Sequence, residues 1–98
     1  MPEVTIVYWR DIPAQVLVGR GRRAVKRVLE ERFEQAIDRA AMASGARDTD
    51  AYLAEWRRAA VEAAGDSDEA AADAMAAALE AEYDTARLKA LIANGGRD

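Results

Sequence analysis

Residues 3–18, Glu-Val-Thr-Ile-Val-Tyr-Trp-Arg-Asp-Ile-Pro-Ala-Gln-Val-Leu-Val, decide the fold class. After Glu3 the next six are β-branched or aromatic, over a length suited to a strand. Arg10-Asp11-Ile12-Pro13 interrupts them as a turn, because Pro13 has no amide to donate and biases Ile12 toward extended geometry. Gln15-Val16-Leu17-Val18 then reads as a second strand closed by Gly19, giving an antiparallel hairpin with a longer loop. Alternation places Val4, Ile6 and Tyr8 on one face and Thr5, Val7 and Trp9 on the other, while Val16 and Val18 oppose Leu17. Both faces are therefore partly apolar. A lone hairpin is marginal and leaves two unpaired edges. Downstream helices can cover one face; the other needs a helix that wraps round, or a partner.

Downstream of the hairpin the apolar spacing turns helical. Residues 19–28 read as a basic connector, irregular or extended, with helix from about Leu29. Leu29, Phe33, Ala36, Ile37 and Ala40 trace one stripe, and Gly45 ends it. A second helix is expected after Asp48, Thr49 or Asp50, with Leu53, Trp56, Ala60 and Ala63 on its buried side and Gly65 as its stop. In that register Trp56 and Tyr52 read as core rather than as a stacking platform for bases. Asp66 with Glu69 resembles a capping box for a third helix presenting Met75, Ala78, Leu79 and Tyr83. Leu88, Leu91 and Ile92 fall half a turn away from that stripe. Either the helix breaks near Asp84-Thr85, or it continues with a second stripe suited to self-association. The expected fold class is α+β, with the hairpin packed on about three helices in one domain of 98 residues.

Composition narrows the chemistry. Hydrophobic types make up 51% of the chain, yet 24 of those residues are Ala, so the core should be small in volume. With no Cys and no His, thiolate and imidazole metal sites, thiol redox chemistry and Ser–His–Asp catalysis are excluded. The acidic clusters Asp48-Thr49-Asp50 and Asp66-Ser67-Asp68-Glu69 do not follow the calcium-loop spacing and read as helix caps. An enzyme would have to work with carboxylates such as Glu31, Glu34 and Asp38, on the wet side of the first helix. No catalytic residue, metal or cofactor is expected. No apolar run reaches the ~20 residues that span a bilayer. The first residues lack the form of a secretory signal. The expected compartment is the cytoplasm.

Charge is uneven: residues 1–27 carry a net +4 and residues 28–98 a net −8. Arg20, Arg22, Arg23, Lys26 and Arg27 form the basic stretch. It either pairs with the acidic helices of its own fold or takes an anion; the acidic whole argues against nucleic acid.

Three segments carry a family resemblance. They are Val7-Tyr8-Trp9-Arg10-Asp11-Ile12-Pro13-Ala14-Gln15-Val16, then Gly19-Arg20-Gly21-Arg22, then Arg32-Phe33-x-x-Ala36-Ile37-Asp38-x-Ala40-Ala41-Met42. Together they resemble a family of small bacterial proteins and domains described as virulence factors, over roughly residues 3–60. Other members place a Pro or Ser ahead of the Glu-Arg-Phe unit, where this chain has Glu30. The resemblance implies an accessory role beside iron–sulfur assembly scaffolds or enzymes of folate- and cobalamin-dependent methyl transfer, and it implies no catalytic residues. The resulting expectation is a small non-catalytic adaptor that docks on a larger cytoplasmic protein through Tyr8, Trp9, Arg10, Ile12, Arg20, Arg22 and Arg23. Leu88, Leu91 and Ile92 are the candidates for homo-oligomer contact. The alternative is binding of a phosphate-containing ligand or RNA by the Arg20–Arg27 stretch.

Overall fold

A computed structural model describes residues 3–19, 24–45, 48–62 and 67–98. The hairpin is present as β1 (Glu3–Trp9) and β2 (Ile12–Val18), paired antiparallel. Its turn is shorter than expected. Only Arg10 and Asp11 separate the strands, with Arg10 at φ 53°. Pro13 lies inside β2 instead of ending the loop, because the register slips between Val7/Gln15 and Tyr8/Pro13. That irregularity leaves no ladder donor to be missed at Pro13.

Both edges of the hairpin are filled from within the chain. β3 (Val25–Val28) pairs with β2, and β4 (Trp56–Glu62) pairs with β1 along its whole length. The sheet order is β3-β2-β1-β4, antiparallel throughout. In the connector at 19–28 the extended alternative takes the form of a strand at Val25–Val28. One expectation is corrected here: the second helix gives way to β4 at Trp56. α2 (Thr49–Ala54) is only six residues long, so Leu53 faces outward at 58% exposure instead of joining a core stripe. The cause is tertiary. Without β4, alternate residues of β1 would present unpaired amides and carbonyls on that edge, and satisfying them outweighs the intrinsic helical preference of an Ala- and Arg-rich segment. The expected stop at Gly65 and cap at Asp66 lie outside the described residues.

α1 (Glu31–Ala43) buries Phe33, Ala36, Ile37, Ala40 and Ala41, the face its spacing predicts. α3 (Asp68–Glu82) is capped by Ser67, whose hydroxyl accepts from the Ala70 amide at 3.1 Å. It lies over β2 and β3, where Ala71, Ala72 and Leu79 meet Val4, Ile6, Val16 and Val18 in one core. Ala78 is exposed. Arg32, on α1, donates to the Glu80 carbonyl at 2.6 Å and to the Tyr83 carbonyl, satisfying the free end of α3.

The helix breaks where one of the two alternatives put it. Asp84 accepts from the Arg87 amide at 2.8 Å and starts α4 (Thr85–Ala93). The break swings Leu88 and Leu91 into the core and Ile92 against it. These three therefore pack within their own chain and present no outward stripe. Asn94-Gly95-Gly96 closes α4 in a Schellman arrangement, with the Gly96 amide on the Leu91 carbonyl at 2.7 Å and the Gly95 amide on Ile92 at 3.1 Å. No helix among the described residues is long and apolar enough to cross a membrane.

Candidate partner-binding face

Pairing register decides which side chains share a side of the sheet. Val4, Ile6, Val16 and Val18 belong to the core under α3. Their neighbours point the other way: Thr5 and Val7 on β1, Gln15 and Leu17 on β2, Lys26 and Val28 on β3, Arg58 and Ala60 on β4. Trp9, opposite Trp56, lies on this second face too, and there Tyr52 of α2 and the Gly96 turn close over it; Val7 beside it is buried, and the rest of the face is more open. Val28 is 67% exposed, and Lys26, Arg58 and Ala60 are exposed as well. Thr5, Gln15 and Leu17 are half-buried.

Three clefts run together across this face. The first, about 530 Å³, is lined by Thr5, Leu17, Gly19, Ala24 and Arg58, with Glu3 and Asp68 at its rim. The second, about 330 Å³, shares Arg58 and continues over Val7, Gln15 and Trp56. The third, about 310 Å³, shares Gln15 and Trp56 and ends between Tyr52 and α1, below Glu34 and Asp38. The result is one furrow, basic at its centre and acidic at its α1 end.

The family model described as virulence factor matches residues 7–92. The chain belongs to the virulence factor family. No curated protein and no solved structure matches it. The virulence factor match runs from the last three residues of β1 through β2, β3, β4 and the first three helices to Ile92 in α4, and so includes the tail for which the sequence offers no signature.

Among the expected contact residues of this virulence factor domain that are described, Trp9, Arg10 and Ile12 serve the fold and Tyr8 is half-buried. Trp9 and Ile12 are wholly buried. The Trp9 indole donates to the Tyr52 carbonyl at 3.0 Å, and its ring stacks on Tyr52 with centroids 5.8 Å apart. Arg10 is a strut. Its guanidinium donates to the Gly95 carbonyl at 2.7 Å and pairs with Glu55 at 3.3 Å, while lying 4.9 Å from the Trp9 ring centre. Tyr8 is half-buried beneath Arg57, 4.3 Å from its ring, and Arg57 is itself tied to Asp11 at 3.1 Å. Arg20, Arg22 and Arg23 lie outside the described residues. Arg27 pairs with Asp73 on α3 at 2.6 Å, so at that position the basic stretch meets an acidic helix of its own fold.

What the sequence reading missed are Val28, Trp56 and Arg58, whose strands were read as connector and helix. Val7 and Leu17 were visible in the alternation.

Tyr8 and Tyr83 both have phenols pushed above the usual 10.0, chiefly by burial, and a charge on Tyr8 further opposes ionisation of Tyr83. A phenol whose folded value is raised contributes stability that is present below pH 10 and lost as pH rises through the raised value. Urea midpoints should therefore stay level up to about pH 10 and fall above it. A midpoint unchanged well above that range would contradict the burial of these two rings.

Proposed function

We propose that this domain is a non-catalytic protein-binding module and that the uncovered face of its sheet is the docking surface. One observation carries the reading. A four-stranded sheet buries one side under α3 and leaves on the other a furrow floored by Val7, Leu17, Val28 and Trp56. Apolar side chains arrayed on an open sheet, rimmed by charge, are what a partner surface or an extended segment needs in order to dock. Arg58 at its centre supplies an anchor of the type favoured at binding hot spots. In this reading the contact surface moves along the face from Trp9 and Ile12, which are buried at one end of it, to its open part. Iron–sulfur assembly scaffolds and methyl-transfer enzymes, implied by the family resemblance, are the first partners to try.

Val28→Asp and Ala60→Glu place charge on that face without touching the core. Each should change stability by no more than about 1 kcal/mol, since both sites are exposed. Affinity capture from the native host, quantified by mass spectrometry, should recover a partner with the parent chain and lose it with both variants. An identical set of captured proteins for all three chains would overturn this docking surface.

A further inference from the structure

The α1 end of the furrow differs from the rest in its aromatic wall. Trp56 and Tyr52 meet there edge to face, with ring centres 5.8 Å apart and planes at 84°. Trp9 holds Tyr52 from within the core. Glu34 and Asp38, one helical turn apart on α1, line the same cleft, with Ile37 and Val28 as apolar walls. Neither carboxylate has a cationic partner among the described residues, whereas Glu30, Glu55, Asp73 and Glu82 are each engaged by an arginine. The two carboxylates also act on the aromatic wall: after burial, the charges of Asp38 and Glu34 are what hold the Tyr52 phenol above its usual value.

Two fixed aromatic rings beside two carboxylates complement a planar cation. A guanidinium stacks on an aromatic face, offers paired donors to carboxylates and is only weakly hydrated. Elsewhere the molecule already uses that pairing, with Arg10 over Trp9 and Arg87 over Tyr83. We infer that the cleft between α1 and Trp56 receives an arginine side chain of the partner protein, stacked on the Trp56–Tyr52 wall and paired with Glu34 and Asp38. This deepens the binding-module reading and rests on it.

The probe is acetyl-Gly-Arg-Gly-amide, with the citrulline peptide of the same length as the neutral control. The two indole cross-peaks in a nitrogen–proton correlation spectrum give an internal comparison. Trp9 is buried and bonded to the Tyr52 carbonyl, while Trp56 lines the cleft. The arginine peptide should move the Trp56 cross-peak and the α1 amides saturably and leave the Trp9 cross-peak in place. The double variant Glu34→Gln with Asp38→Asn, both at exposed positions, should keep the parent helical signal and bind the peptide at least about tenfold more weakly. Added salt should weaken binding to the parent chain. No movement of the Trp56 cross-peak, equal binding of the citrulline peptide, or undiminished binding by the double variant would each overturn the arginine site. The Ala60→Glu capture test acts outside this cleft, so those outcomes would remove this site alone.

Discussion

Trp9→Ala should lose about 3–5 kcal/mol of stability, the range for truncating a large buried aromatic. A domain of this size holds roughly 5–15 kcal/mol in all, so the variant should unfold at a much lower urea concentration. Several losses add at this site. The ring is wholly buried, stacks on Tyr52 and lies beneath the Arg10 guanidinium. Its indole is also the side-chain donor to the Tyr52 carbonyl, which would be left without that partner. Trp9→Phe keeps most of the apolar contact and removes the donor, so it should cost less than half as much. Trp56 remains in both variants as the fluorescence probe for unfolding. A loss below about 1 kcal/mol for Trp9→Ala would mean that the ring is not part of the core, which would return it to the candidate contact surface. Any loss of partner binding in these variants should track the fraction unfolded.

Those side-chain roles mark where sequence reasoning succeeds and fails in this chain. Local signals were reliable. The hairpin, the α1 stripe from Phe33 to Ala40 and the cap at Asp84 each follow from residues within a few positions of one another. β4 does not, because its reason for being a strand is β1, some fifty residues earlier. Trp56-Arg57-Arg58-Ala59-Ala60-Val61 has neither clean alternation nor a convincing helical stripe, so the decision fell to the unpaired edge of β1. The candidate site suffered from the same gap. Alternation correctly put Val7 and Leu17 on a second apolar face, but it also put Trp9 there with equal weight. Trp9 is buried because Tyr52 and Gly96 close over that end of the strand, and neither contact leaves a trace in the local sequence. Arg10 was read as a contact for the same reason. Its partners, Glu55 and Gly95, come from two distant turns. Exposed cations near a hairpin tip are ordinarily solvated, and only the closed fold shows this one holding three segments together.

Gly96→Ala tests that closure from the opposite side. Gly96 sits at φ +89°, and a Cβ there would come within 2.9 Å of the Trp9 ring and 3.4 Å of the Ala40 side chain. Left-handed backbone costs a non-glycine residue about 1–2 kcal/mol, and forcing a methyl into a packed site adds about 1–3 kcal/mol. The combined expectation is a loss of roughly 2–5 kcal/mol, read from urea unfolding. Gly45→Ala is the matched control, because Gly45 ends α1 at φ +77° with nothing within 4 Å of its added Cβ. It should carry the backbone cost alone, about 1 kcal/mol. The difference between the two variants thus isolates the contact with Trp9, since neither substitution removes a backbone hydrogen bond. Equal losses would mean that the C-terminal turn does not rest on the indole. In that case Trp9 would have an open flank, and the docking surface placed on the open part of the second face would have a competitor at the hairpin tip. Unequal losses in the expected order tie the last turn of the chain to the first, through the Trp9 ring and through the Asp11 amide that donates to the Gly96 carbonyl at 2.8 Å. That closure leaves the open part of the second sheet face, around Val28, with apolar surface that remains to be covered.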